Sequence, residues 1–280
     1  MKWPILLAAA LGLACVGAAP APAPAAPAAK PFAPTRFSVE VRGSGPDVIL
    51  IPGLTGTREV WTGTVAALPG YRYHLVQVAG FAHTPARGNA RGRVVAPLAD
   101  EVARYIAARG LRRPALVGHS MGGTVAMMVA ARHPERVGRV MVVDMLPQPA
   151  GIVGGSARGM RGLADSLRDL SATPGGRRLV ESAIRLFGNP ESGADPDVVA
   201  RATHELAVID LTPELPRIAA PLTVVYASLD PSRRELDDRR YRAAYAGRRG
   251  ARLVRIDDSG HMIMHDQPVR FRAVLKDFLR

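Results

Sequence analysis

From Phe37 to Val41 apolar and polar side chains alternate, the period of a strand with one face in water, and Asp47 to Ile51 is a short β-branched run closed by Pro52-Gly53. Arg58 to Leu68 reads as a helix and Tyr73 to Val78 as the next strand; Leu98, Val102, Tyr105 and Ile106 then recur at helical spacing along one face. Arg113 to Val117 returns to strand. Met121 to Arg132 is apolar all round, as a helix buried against a sheet must be, and Val137 to Val143 is the continuous apolar run that parallel strands favour. After it the rhythm changes. From Pro147 to about Pro216 the spacing is helical, with Leu163, Leu167 and Leu170 in one segment, Leu179, Ala183 and Leu186 in a second, and Val198, Ala202 and Leu206 in a third. Leu222 to Ala227 resumes the strands, followed by a helix over Glu235 to Ala246, a strand over Ala251 to Ile256 and a closing helix over Val269 to Leu279. The pattern predicts one α/β domain, a mostly parallel central sheet flanked by helices, with residues 147–216 inserted as a helical lid.

The first residues belong to no element of that sheet. Met1 to Ala19 carries Lys2, an apolar run from Trp3 to Val16 and the small residues Gly17-Ala18-Ala19, the layout of an export signal. The run is shorter than the ~20 residues a spanning helix needs, so export to a periplasmic or secreted location is preferred to a retained anchor. Cys15 stands where a lipid could be attached, but Gly12 takes the place of the larger aliphatic residue such a box wants, so a lipoprotein is not favoured. Residues 20–34 are almost all Ala and Pro and read as an extended tether, which leaves 35–280 as the folded domain.

Composition narrows the function. At 280 residues with 48% hydrophobic content the chain can bury a large core, which excludes disorder of the whole. The net charge of +13 rests on arginines dispersed among acids, and with aromatics at 5% there is little to stack on bases, so nucleic acid is not expected as a partner. The single cysteine allows neither an internal disulfide nor a cysteine-based metal site, and no phosphate loop or metal-spaced histidine pair appears; no cofactor is required.

The chemistry gathers at strand ends. Gly118-His119-Ser120-Met121-Gly122 follows a strand and opens a buried helix: a serine between glycines, where neighbours with little side chain permit a strained turn that lifts the hydroxyl over a helix N-terminus. With this elbow and its strand-turn-helix setting, the chain from Phe37 onward resembles the α/β-hydrolase superfamily, in its lidded esterase, lipase and peptidase-like branch. The resemblance implies a nucleophilic Ser120, a histidine base and an acid that orients it, in that order along the chain. Gly260-His261 follows the last strand, with Asp266 and Pro268 at the family's spacing, so His261 is the implied base and His265 a surface or supporting residue. Two acids qualify. Asp230, in Ala227-Ser228-Leu229-Asp230-Pro231, resembles the family's usual acid turn and is preferred; Asp144, ending the Val137 to Val143 strand, is the alternative that a minority of relatives use. The implied oxyanion donors are the backbone N–H groups of Leu54 and Met121. The sequence departs from the family at Pro52, where many relatives carry histidine, and at Gln77, where aspartate is common.

The resemblance implies a small-molecule acyl substrate, with a carboxylic ester ahead of amide or peptide, lactone, thioester or carbon-carbon bonds, and perhydrolysis as a side activity. Met121, Met145, Met160, Met262 and Met264 suggest an adaptable apolar pocket, with ordinary core packing as the equal alternative for each. Serine in the elbow disfavours the aspartate-nucleophile chemistry that opens epoxides or removes halides. The competing class is a ligand-binding module that keeps the pocket without useful turnover. From Arg233 to Arg255 nine arginines face Glu235, Asp237 and Asp238, enough for peripheral contact with an anionic surface, though a solvated helix face is the preferred explanation.

Overall fold

Alternation settles which way each strand faces. In β2 (Asp47–Ile51) Val48 and Leu50 enter one core while Ile49 and Ile51 enter the other, so the sheet is buried on both sides. The computed structural model describes residues 32–151, 157–179 and 193–280; the leader, Cys15, most of the Ala/Pro segment and the helix expected around Ala183 and Leu186 lie outside the described residues.

The sheet has seven strands: β1 (Phe37–Arg42), β2, β3 (Arg72–Val78), β4 (Ala115–His119), β5 (Arg139–Val143), β6 (Leu222–Ser228) and β7 (Arg252–Asp257). They lie in the order β1-β3-β2-β4-β5-β6-β7, with β1 antiparallel to β3 and every other pair parallel. The helices that begin and end within the described residues are α1 (Thr62–Ala67), α2 (Val95–Ala108), α3 (Met121–Arg132), α4 (Ala157–Ser171), α5 (Pro196–Val208), α6 (Arg234–Ala244), the single turn α7 (Ile263–Asp266) and α8 (Pro268–Leu279), and residues 174–179 are helical as well. One core joins Ile49, Ile51 and Val78 to α2 and α3 through Leu98, Val102, Val125 and Met128. The other joins Val48, Leu50 and Val117 to Trp61 and, on α8, to Phe271 and Leu275. Each such side chain fully withdrawn from water contributes about 1.5–3 kcal/mol. No helix among the described residues is long and apolar enough to cross a membrane.

The strand expected over Arg113 to Val117 is shifted to Ala115–His119. Arg113 has φ +50° and the Pro114 carbonyl accepts the Gly138 N–H, so these two residues form the turn into the strand; Gly118 and His119 pair with Val142 and Val143. The strand therefore runs up to Ser120 itself.

Two buried carboxylates tie outlying segments to this frame. Glu101 of α2 accepts the N–H groups of Thr35 and Arg36, anchoring the chain where β1 begins. Glu205 of α5 accepts the N–H groups of Val94, Val95 and Ala96, so the inserted segment supplies the N-terminal cap that α2 lacks from its own sequence. Along 233–255, Arg234, Arg239, Arg242, Arg252 and Arg255 are each ion-paired with nearby carboxylates.

Candidate active site

Ser120 occupies the single position between β4 and α3, at φ 51° and ψ −123°, a conformation that costs a non-glycine residue about 1–3 kcal/mol. Its N–H donates to Val143 O at 2.9 Å, and its carbonyl accepts the N–H of Gly123 at 2.8 Å. The flanking glycines are a steric requirement. A Cβ on Gly118 would stand 2.1 Å from Gly122 O, and one on Gly122 would stand 2.3 Å from Ile51 O. The elbow is thus a place where three backbone segments cross in contact, with Ser120 at the crossing.

His261 follows β7, and its Nδ1 lies 2.7 Å from Asp144 Oδ2. A carboxylate accepts, so Nδ1 carries the proton and Nε2 is left with a lone pair for a substrate-side hydroxyl. Asp144, at the end of β5 with φ +49°, is 8% exposed. Its Oδ1 accepts the Ala227 N–H at 3.0 Å and the Tyr241 O–H at 2.9 Å. The preference for Asp230 is corrected by this geometry. The Asp230 carboxylate is exposed and accepts from the N–H and Oγ–H of Ser232, both at 2.8 Å, and it makes no hydrogen bond to His261. Those bonds hold it below the usual carboxylate range. Asp230 caps the short turn Pro231–Arg233, and an aspartate before a proline is the ordinary signature of such a cap.

Ser120 and His261 line one cavity of about 670 Å³, with Pro52, Leu54, Val60 and Met262 as its apolar wall and His265 and Asp266 at its exposed rim. Among the described residues neither the Leu54 nor the Met121 N–H donates to another group of the chain. The Leu54 loop runs against the serine: a Cβ on Gly53 would come 3.1 Å from Ser120 Cβ. Gln77 braces that loop, accepting the Arg58 N–H at 2.9 Å and donating to Gly56 O at 3.3 Å. A buried glutamine on β3 thus supports the loop that has Pro52 in place of the family's histidine.

Of the five methionines expected at the pocket, Met262 lines it; Met121, Met145 and Met264 are buried in the two cores, and Met160 packs against one of them. Core packing, the alternative open for each of them, thus holds for most, since methionine fills irregular space in cores as readily as in pockets. His119, inside the elbow, is a residue that sequence reasoning missed. It is buried, its Nε2–H donates to His261 O at 2.9 Å, and its ring centroid lies 4.7 Å from that of His261. Burial, aided by the neighbouring His261, pushes its pKa down to about 3, so it stays neutral. A second cavity of about 620 Å³, beside Arg93, Arg168 and Arg201, is lined by no serine, threonine or cysteine. No group of three His, Cys, Asp or Glu side chains among the described residues could hold a metal ion.

A strained serine where a central parallel strand meets a buried helix, beside a carboxylate-held histidine, defines the α/β-hydrolase class. The chain belongs to the alpha/beta hydrolase family, whose model matches residues 48–274. It is 28% identical over 215 residues to the pimeloyl-[acyl-carrier protein] methyl ester esterase of Vibrio atlanticus, covering 68% of this chain and 78% of that protein. Over a shorter stretch of 111 residues, 39% of this chain and 42% of the relative, it is 39% identical to the enzyme of the same name from Aeromonas hydrophila. In three dimensions it is similar to a thermophilic esterase from Thermogutta terrifontis, with TM-score 0.68, 24% identity and coverage of 87% of this chain and 93% of the other. It is also similar to the enol-lactonase from Burkholderia xenovorans LB400, with TM-score 0.63, 24% identity and coverage of 87% and 96%. At that identity the structural likeness speaks for the fold, and the family match makes the chain an α/β hydrolase.

Proposed function

We propose that the protein is an exported serine hydrolase that cleaves carboxylic esters of small neutral acyl substrates through Ser120, His261 and Asp144. The observation that carries this reading is the His261–Asp144 pair opening onto the cavity that also holds the positive-φ Ser120. A hydroxyl is a weak nucleophile near neutral pH and needs a base within reach. With Nδ1–H committed to Asp144, Nε2 of His261 takes the Ser120 proton as Oγ bonds to the ester carbonyl carbon. The electron pair of the C=O collects on oxygen, which the free N–H groups of Leu54 and Met121 stabilise, each worth about 3–4 kcal/mol in comparable sites. Imidazolium then protonates the departing alkoxide as the ester C–O bond breaks and the acyl-enzyme remains. Water, deprotonated by His261, attacks the acyl carbonyl in turn, and the imidazolium returns its proton to Ser120 Oγ as the acyl C–Oγ bond breaks and the acid leaves. The wall of Pro52, Leu54, Val60 and Met262 favours an uncharged acyl or alcohol group over a charged one.

The test is covalent labelling by a fluorophosphonate probe, with Ser120→Ala as control and mass analysis of the labelled peptide. A single adduct at Ser120, absent from the variant, is expected; a folded protein that takes no label loses the hydrolase reading to the ligand-binding one. Export rests on Lys2 and the apolar run from Trp3 to Val16, and recovery of full-length chain with its leader intact from the cytosol refutes it.

A further inference from the structure

The Asp144 carboxylate divides its hydrogen bonds unequally. Oδ2 serves His261 alone, while Oδ1 accepts one backbone N–H, from Ala227, and one side-chain hydroxyl, from Tyr241. The ring that carries this hydroxyl is held on both sides. Tyr241 is buried, stacks on Tyr226 with centroids 4.1 Å apart and planes inclined by 15°, and lies nearly parallel to Tyr245 at 6.5 Å. The outer rings spend their protons elsewhere, Tyr226 on Asp238 at 2.7 Å and Tyr245 on Met145 O at 2.6 Å, so Tyr241 is the member of the stack that hydrogen-bonds Asp144. Burial, with the adjacent carboxylate, raises the Tyr241 hydroxyl far above the usual phenol range, so it remains a donor wherever the protein is folded.

We infer that Tyr241 is a positioning residue that sets the basicity of His261 through Asp144, by hydrogen-bonding the carboxylate oxygen opposite the one that holds the imidazole. A carboxylate whose charge is partly neutralised by an O–H donor attracts an imidazolium less strongly than a bare one. The hydroxyl therefore draws charge from the carboxylate that faces the imidazole and fixes the rotamer from which Oδ2 meets Nδ1. The other ionisable and charged groups around the pair are His119 on β4, His265 and Asp266 on α7, Arg240 on α6 and Tyr245 just beyond it. Arg240 donates to Gly151 O and Asp266 accepts the Gly260 N–H. None of these contacts passes through the Tyr241 hydroxyl, so a shift on its removal belongs to Tyr241.

The catalytic consequence rests on the serine-hydrolase reading; the coupling between Tyr241 and His261 does not. Tyr241→Phe is expected to move the acid limb of the kcat/KM profile upward by roughly half to one pH unit and to lower plateau kcat about 3- to 10-fold with KM little changed. Tyr245→Phe is the control, since it loses a buried hydrogen bond in the same stack without touching Asp144: stability falls and the limb stays. The His261 ring titration followed by NMR needs no substrate, and in Tyr241→Phe it is expected to rise by the same amount. Site-specific replacement of Tyr241 by 3-fluorotyrosine, a stronger donor of nearly the same shape, moves the titration the other way and serves even where the phenylalanine variant folds poorly. A His261 titration that stays in place, or falls, in Tyr241→Phe overturns the inference; absence of turnover in the parent with a shifted titration overturns the hydrolase reading and leaves this one standing.

Discussion

Asp144→Asn is expected to lower kcat/KM by about 10³- to 10⁴-fold, while Asp230→Asn keeps near-full activity. The asparagine is the size of the aspartate, so the packing around this buried position survives and the loss reports charge and tautomer. An amide beside His261 can present its NH₂ to Nδ1, which turns the imidazole to the tautomer with its proton on Nε2, where the base needs a lone pair. The carboxylate that steadies the imidazolium during acyl transfer is also gone. Asp230, exposed and committed to Ser232, stands outside this circuit, and its replacement weakens a three-residue turn worth about 1 kcal/mol. Initial rates on a short-chain nitrophenyl ester, normalised to the fraction of sites that react with a fluorophosphonate, make the comparison. The reverse ranking, with Asp230→Asn inactive and Asp144→Asn active, would sink the assignment of the acid.

The protein is expected to lose about 3 kcal/mol of unfolding free energy between pH 7.5 and pH 4 through His119 alone. The folded pKa is lowered from 6.5 to about 3 by burial, with His261 adding to the effect. In that interval the unfolded chain binds a proton that the folded chain refuses, so acid drains stability. The contribution is fully present above pH 6.5 and declines as pH falls, until the folded protein takes the proton as well near pH 3. Denaturant unfolding at several pH values, for the parent and for His119→Gln, reads this directly. Glutamine keeps a donor for the His261 carbonyl and has nothing to titrate, so its stability is flatter in acid; His74, also lowered chiefly by burial, is common to both and leaves a shared residual slope. Parallel curves for the two proteins would remove His119 from the acid response.

The strands were legible because their period is local. Val48 and Leu50 against Ile49 and Ile51 announce a sheet buried on both faces before any partner strand is known. The elbow was legible for a similar reason, since the glycines at 118 and 122 are imposed within a few residues of Ser120 and leave a compact signature. Elsewhere the local signals are ambiguous. Asp230-Pro231 matches both an acid turn and a helix cap, and short-range pattern cannot separate a carboxylate facing a histidine from one facing the next serine. The methionines were ambiguous in the same manner, as was the start of β4, where Arg113 looked like strand and is turn.

By itself the sequence determined the α/β architecture and the serine at its strand-to-helix turn, because each follows from backbone sterics or side-chain period over a dozen residues or fewer, while the histidine after the last strand is implied by resemblance to the family's motif order. Tertiary structure alone decided which acid meets that histidine, what holds that acid and what braces the Leu54 loop. Asp144 and His261 lie 117 positions apart, Tyr241 reaches Asp144 across 97, and Gln77 reaches Arg58 across 19. Such partners are chosen by the order and register of parallel strands, which set the ends of β5, β6 and β7 side by side, and no periodicity within one segment carries that information.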